Sequence, residues 1–206
     1  GVKRLHGAVY RPMPDRIVAG TLLAAAAITG GSVRLRNVPC DAMGAVFSKL
    51  REMGCVILEK ADSVALTAPE RLKAFQMLQT QPHPGFPTDM QVQMLALATV
   101  AAGTSVVVEN VFENRFTHVG DLNRMGAHVL VNGRTAVING VERLYGARVE
   151  ARDLRGGAAL TLAGLRAKGE TVVERAELID RGYDHLETML CALGADVRRV
   201  QKGEDT

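Results

Sequence analysis

The chain has 206 residues, 47% of them apolar and 23% charged, which allows a sizeable core in one large domain or two small ones. A net charge of +3 is too weak to argue for a nucleic-acid partner, although it suits an anionic small molecule where basic groups converge. No apolar run reaches membrane-spanning length, and the opening GVKRLHGAVYRPMPDR lacks the apolar segment of a signal peptide, so neither a membrane partner nor a secreted product is expected.

The elements recur in chain order. An Ala/Leu-rich helix over Thr21–Ile28 leads to Gly31 and a β-branched strand. A second, amphipathic helix over Asp41–Met53 ends on "LREMGCVILE". The same two steps return as Val92–Ala102 with Gly103 and Thr117–Met125 with "LNRMGAHVLV", then as Ala158–Ala167 with Gly169 and Tyr183–Leu193 with "LCALGADVRRV". Gly54, Gly126 and Gly194 are spaced by 72 and 68 residues, each where a left-handed glycine would end a helix. In the second unit Asn132-Gly133 separates two alternating runs and predicts a hairpin. The first helix of each unit is apolar all round and is expected to be buried, while the second is expected to face solvent on one side. These patterns predict an α/β (α+β) domain over 1–206 with three helix-strand-helix-strand repeats, near 10–70, 84–142 and 148–203, helices inside and sheets outside.

No dinucleotide, P-loop, zincin or nucleophile-elbow signature occurs, and the histidines form no metal-ligand spacing. Cys40, Cys55 and Cys191 follow no metal or disulfide pattern and are expected as reduced thiols of a cytosolic protein. An initial Gly in place of Met points to a fragment or a processed product.

Four loops at helix starts carry the candidate chemistry. In "HPGFPTDMQVQM" the T-x-x-Q phrase predicts a capping box with Thr88 as N-cap and Gln91 bonding back; Asp89 is then either a first-turn acid or a reactive group, and the stiff HPGFP approach is more than a cap requires. In "VFENRFTH" Arg115 is either half of an Arg–Glu pair or a ligand for an anion. In "ARDLRGGAAL" Asp153 reads as a cap with Arg155 as its ion-pair partner, and the glycines at 156–157 would admit a close backbone or ligand. In "IDRGYDHLE" Asp180 and Arg181 read as a plain helix start or as further cleft residues. If the repeat brings these loops to one end, Asp89, Asp153, Arg115, Arg155 and Arg181 would make a site for proton transfer on an anionic substrate.

Taken together, "FPTDMQ", "VFENRF", "RMGAHV", "DLRGGAAL" and "IDRGYDHLE" resemble the UDP-N-acetylglucosamine enolpyruvyl transferase (UDP-N-acetylglucosamine 1-carboxyvinyltransferase) family over essentially the whole chain. That resemblance implies an inside-out enolpyruvate transferase domain, one of the two in the family's bacterial, cytoplasmic enzymes. It further implies transfer of the enolpyruvyl group of phosphoenolpyruvate to the 3′-hydroxyl of UDP-N-acetylglucosamine, with release of phosphate and without metal or organic cofactor. This is the first committed step of peptidoglycan synthesis. By the same resemblance Asp89 is the base acting on the sugar hydroxyl, Val111 contacts the UDP-sugar, and Arg181 binds phosphoenolpyruvate. Asp153 and Arg155 line the cleft, and Arg115 is the family's loop arginine.

The chain departs from the family in lacking its other domain and the first strand of this one. With them go the reactive cysteine loop that serves as general acid and fosfomycin target, and further phosphoenolpyruvate ligands. Cys40, Cys55 and Cys191 do not match that loop, so the isolated chain is expected to be inactive. Gly156 stands where the family usually has Ala, which is expected to loosen the start of that helix slightly. Two other functions fit less well: an enolpyruvyl transferase acting on shikimate 3-phosphate, and an RNA-end binding module of related fold, against which the low charge and the 4% aromatic content argue.

Overall fold

Asp15 starts the first helix. Its carboxylate accepts the amides of Ile17 (2.6 Å) and Val18 (3.2 Å), so α1 runs Arg16–Thr29, from well before the apolar stretch. This is a computed structural model, and it describes residues 1–200. Gly30, with φ 72°, stops α1. The equivalent helices of the second and third units are α3 (Thr88–Ala98) and α5 (Leu154–Arg166). All three pack on one another at the centre. A buried polar knot ties α1 and α3 to Tyr183: the Thr21 and Tyr183 hydroxyls meet at 2.9 Å, and Gln93 Nε2 donates to both at 3.0 and 3.2 Å.

Sheets cover this bundle. Around unit one lie β1 (Ser32–Arg36), α2 (Gly44–Glu52), β2 (Val56–Lys60) and β3 (Ser63–Thr67), in the antiparallel order β1-β3-β2. Unit two adds β4 (Met77–Gln79), β5 (Thr104–Val108), α4 (Val119–Arg124), β6 (His128–Asn132) and β7 (Thr135–Asn139), ordered β4-β5-β7-β6 with β4 parallel to β5. Unit three pairs β8 (Arg148–Glu150) with β9 (Val172–Glu174) in parallel, followed by α6 (Leu186–Ala192). Strand alternation buries Val64 and Leu66 in β3, and Ala136 and Ile138 in β7. One core cluster joins Leu23, Phe47, Leu78, Leu95, Leu122 and Leu160 across all three units. Each fully buried leucine contributes about 1.5–3 kcal/mol of transfer free energy.

The helix-ending glycines behave as expected: Gly54, Gly126 and Gly194 have φ of 95°, 93° and 94°. The second hairpin is offset by one residue, since Asn132 pairs with Thr135 and the turn is Gly133-Arg134. In unit three the alternating run after Gly194 forms no strand through residue 200, and the expected repeat end at 203 lies outside the described residues. Alternation alone is not enough. β2 and β6 each pair with the strand that follows them, whereas residues 195–200 have no such neighbour among the described residues. Beside them a cavity of about 1040 Å³ opens between α1, β1 and β9, lined by Ala25, Val33, Val173, Leu190 and Val197.

The glycines at 156–157 admit the chain itself. A Cβ on Gly157 would stand 2.7 Å from Ala151 Cβ and 2.8 Å from Ile179 Cγ1. Gly157→Ala is therefore expected to destabilise the protein by about 1–2 kcal/mol through overpacking, read as a lower urea midpoint. An unchanged midpoint would show that α5 has room to shift. At Gly156 a Cβ would meet Asp153 Oδ2 at 3.0 Å and His118 Cβ at 3.3 Å, so a close approach to His118, rather than looseness, is what glycine brings there.

Candidate active site

Pro87 precedes α3 as its N-cap, with φ −71° and ψ 131°, and no side chain caps the helix. The expected capping box is therefore absent. Thr88 donates its hydroxyl to Glu109 Oε2 at 2.9 Å instead, and Gln91 lies fully buried with both amide atoms unpartnered. A buried inner face claims Gln91 before it can reach back to the helix start.

Asp89, in the first turn of α3, is held between two arginines from different units. Arg115 Nη2 donates to Oδ1 at 2.7 Å, and Arg155 Nη2 donates to Oδ2 at 3.1 Å. The Asp89 side chain is 39% exposed, against 15% for Arg115 and 11% for Arg155. The carboxylate is thus reachable from solvent while the cations behind it are seated. Each guanidinium also rests on an aromatic face, Arg115 at 5.4 Å from the Phe112 centroid and Arg155 at 5.3 Å from that of Tyr183. Arg115 Nε and Arg155 Nε and Nη1 are buried without a hydrogen-bond partner.

Asp153 caps α5. Its Oδ1 accepts the amides of Arg155 (3.0 Å) and Gly156 (2.8 Å), and its Oδ2 accepts the Thr117 hydroxyl at 3.0 Å. Burial would raise its pKa, but these hydrogen bonds, with Arg115 nearby, hold it below the usual carboxylate range. The predicted ion pair is absent: only the backbone of Arg155 meets Asp153, and its side chain goes to Asp89. Nor does Arg115 pair with its loop neighbour Glu113, which lies 3.8 Å from Arg134.

Val111 is 41% exposed in the same loop as Arg115. Arg181 is exposed and makes no hydrogen bond or ion pair among the described residues. Its neighbour Gly182 lies against Arg155, where a Cβ would be 3.4 Å from Nη1. Asp180 does not cap α6; it takes a two-pronged bond from Arg199, at 2.7 and 2.6 Å.

Sequence reasoning passed over Glu109, His118 and Tyr183. Glu109 and His118 are each 1% exposed, and each touches the loops that carry Asp89, Arg115 or Asp153. A lone Glu after a strand and a lone His before a helix carry no local signal. Tyr183 was visible only as part of the IDRGYDHLE phrase. The thiols lie elsewhere: Cys55 is buried, which pushes its pKa up to about 11, and Cys191 donates to the Val197 carbonyl. Among the described residues no three metal-ligating side chains converge, and no helix is long and apolar enough to cross a membrane.

Comparison with known proteins agrees with this arrangement. The family model described as EPSP synthase (3-phosphoshikimate 1-carboxyvinyltransferase) matches residues 1–198. The chain is 53% identical to the UDP-N-acetylglucosamine 1-carboxyvinyltransferase of Myxococcus xanthus over 97% of its length, covering 47% of that protein. It is 50% identical to UDP-N-acetylglucosamine 1-carboxyvinyltransferase 2 of Caldanaerobacter subterraneus subsp. tengcongensis, covering 97% of the chain and 48% of the relative. Its fold superposes on the solved enolpyruvyl transferase NikO from Streptomyces tendae with a TM-score of 0.82 and 27% identity, over 90% of this chain and 44% of that one. The chain spans about half the length of the curated relatives it matches. With a family match across nearly all its residues and a fold that superposes on NikO, the chain belongs to the EPSP synthase (3-phosphoshikimate 1-carboxyvinyltransferase) family of enolpyruvyl transferases.

Proposed function

We propose that this chain supplies the sugar-activating half of a UDP-N-acetylglucosamine 1-carboxyvinyltransferase. The observation that carries the proposal is the partly exposed Asp89 carboxylate clamped by Arg115 and Arg155. A sugar hydroxyl is a poor acid, so its attack on the enol carbon of phosphoenolpyruvate needs a placed base. Asp89 has lone pairs beyond the two engaged by arginine, and from its exposed side it can accept the 3′-hydroxyl proton. Attack, with a proton delivered to the methylene carbon by the general acid of the companion domain, gives a tetrahedral adduct, and loss of phosphate together with a proton from the new methyl group gives the enol ether of the product.

The remaining assignments rest on the family resemblance, with the exposure and placement of the residues in support. Val111, exposed beside Arg115, contacts the UDP-sugar. Arg155, Arg115 and Arg181 offer guanidinium donors to phosphate and carboxylate, three nitrogens of the first two having no hydrogen-bond partner. Asp153 acts from behind, since both its oxygens are taken by the α5 start and Thr117. The whole enzyme would work in the bacterial cytoplasm on the path to peptidoglycan, with no metal or organic cofactor. We place 1–206 as a single domain whose companion, carrying the general acid, lies elsewhere in the protein.

On this reading the chain alone binds and orients without turning over. A phosphate-release assay with both substrates tests it: no release above background is expected, and robust turnover would overthrow the division of labour. The family's name raises the second acceptor, shikimate 3-phosphate. The two relatives at 53% and 50% identity carry the UDP-sugar name, which favours that acceptor. Turnover of the whole protein with each acceptor in turn decides between them.

A further inference from the structure

Glu109 follows β5 and is 1% exposed, yet no cation pairs with it among the described residues. Burying a carboxyl group without a charged partner is costly unless hydrogen bonds replace water. Here four do. Oε1 accepts the Thr80 hydroxyl at 2.7 Å and the amides of Val111 and Phe112 at 2.8 and 3.0 Å. Oε2 accepts the Thr88 hydroxyl at 2.9 Å. The Thr80 hydroxyl in turn accepts the Asn110 amide at 2.8 Å.

These donors come from separate stretches of chain. Thr80 ends the β4 edge, Thr88 is the first residue of α3 and neighbour to Asp89, and Val111 and Phe112 begin the loop that leads to Arg115. An acceptor-only group facing four donors is the chemistry a carboxylate satisfies and a carboxamide satisfies only in part. We infer that Glu109 is a positioning residue: it pins the start of α3 to the 110–115 loop, so that Asp89 meets Arg115 and Val111 is presented beside them. Glu109 touches neither reacting group, and its effect passes through Thr88 and the loop amides. The catalytic consequence rests on the enolpyruvyl transfer proposed above, whereas the geometric one does not.

The experiment has two arms. In the chain itself, Glu109→Ala is expected to speed hydrogen exchange at the Val111 and Phe112 amides at least tenfold, with exchange at the β5–β7 core amides unchanged, and to alter the Arg115 guanidinium NMR signal. In the whole protein the same variant is expected to lower kcat at least tenfold with a smaller change in KM. Glu109→Gln, which keeps one oxygen for the loop amides, should recover most of that loss. Thr88→Val cuts only the link to α3 and should lower kcat in the same direction, which keeps the test open if Glu109→Ala does not fold. Unchanged exchange and an unchanged Arg115 signal in the variants would overturn the inference. So would kcat losses that merely follow the loss of global stability. A whole protein without enolpyruvyl transfer would refute the functional reading alone, and the exchange arm would still decide the positioning.

Discussion

Asp89→Asn in the whole protein is expected to lower kcat at least a hundredfold while the fold survives. A positioned base contributes about 10²–10⁴ in rate. The amide keeps the shape of the side chain and loses the ability to accept a proton. Folding should be little affected because the Asp89 side chain is 39% exposed, so solvent screens its pairing with Arg115 and Arg155. Pairs whose acid is reached by solvent contribute about 0–1 kcal/mol each, and the seated arginines put these two toward the upper end. The measurement is steady-state kinetics beside a urea melt of the same variant. Activity within tenfold of the parent, about 1.4 kcal/mol of barrier, would remove Asp89 from the base role and leave it as an anchor for the two arginines.

That experiment also separates what local sequence rules could say about Asp89 from what they could not. Its place in the first turn of α3 was legible, since prolines and Thr88 stop the preceding loop. Its partners were not. Arg115 lies 26 residues away and Arg155 66 residues away, and each had a nearer acid to which a local rule would assign it. Tertiary packing overrode both local pairings: Asp153 is consumed by its own helix start, and Glu113 points toward Arg134. The repeat, which brings the loops to one end, and the family resemblance had placed Asp89, Arg115 and Arg155 in one site, while no local rule had.

The repeat shows the same limits. Apolar helices, helix-ending glycines and the hairpin near Asn132 were readable because each rests on periodicity or on a backbone angle that few residues tolerate. The run after Gly194 has the same pattern as its counterparts but forms no strand through residue 200, because a strand is defined by its neighbour. The capping box at Thr88 failed for a related reason. A hydroxyl that can cap its own helix can equally donate to a buried carboxylate, and Glu109 gave it the better partner.

The behaviour of His118 in acid follows from burial that no motif announced. The residue precedes α4 with 1% exposure, and both ring nitrogens lack hydrogen-bond partners. Burial pushes its pKa down to about 4; Asp153 pulls the other way and Arg115 reinforces the fall. An unfolded histidine titrates near 6.5, about 2.5 units higher, so between these values the unfolded chain binds more protons than the folded one. The stabilisation is fully present above about pH 6.5 and is lost as pH falls toward 4. At about 1.36 kcal/mol per unit the whole loss is on the order of 3 kcal/mol. Asp153, whose pKa is lowered, contributes stability above the ordinary carboxylate range and loses it only at more acidic pH, so the two windows are separable. Urea melts from pH 7.5 to 4.5 should therefore show a fall of more than about 2 kcal/mol in the protein and a much shallower slope in His118→Phe. The phenyl ring is close to the imidazole in size, removes the titrating group, and gives up no more than a contact with the Arg115 backbone. Parallel curves for the two proteins would mean that another group carries the acid sensitivity. A steep parental curve that flattens in His118→Phe would mean that a neutral, buried imidazole, protonated on unfolding, carries the acid sensitivity.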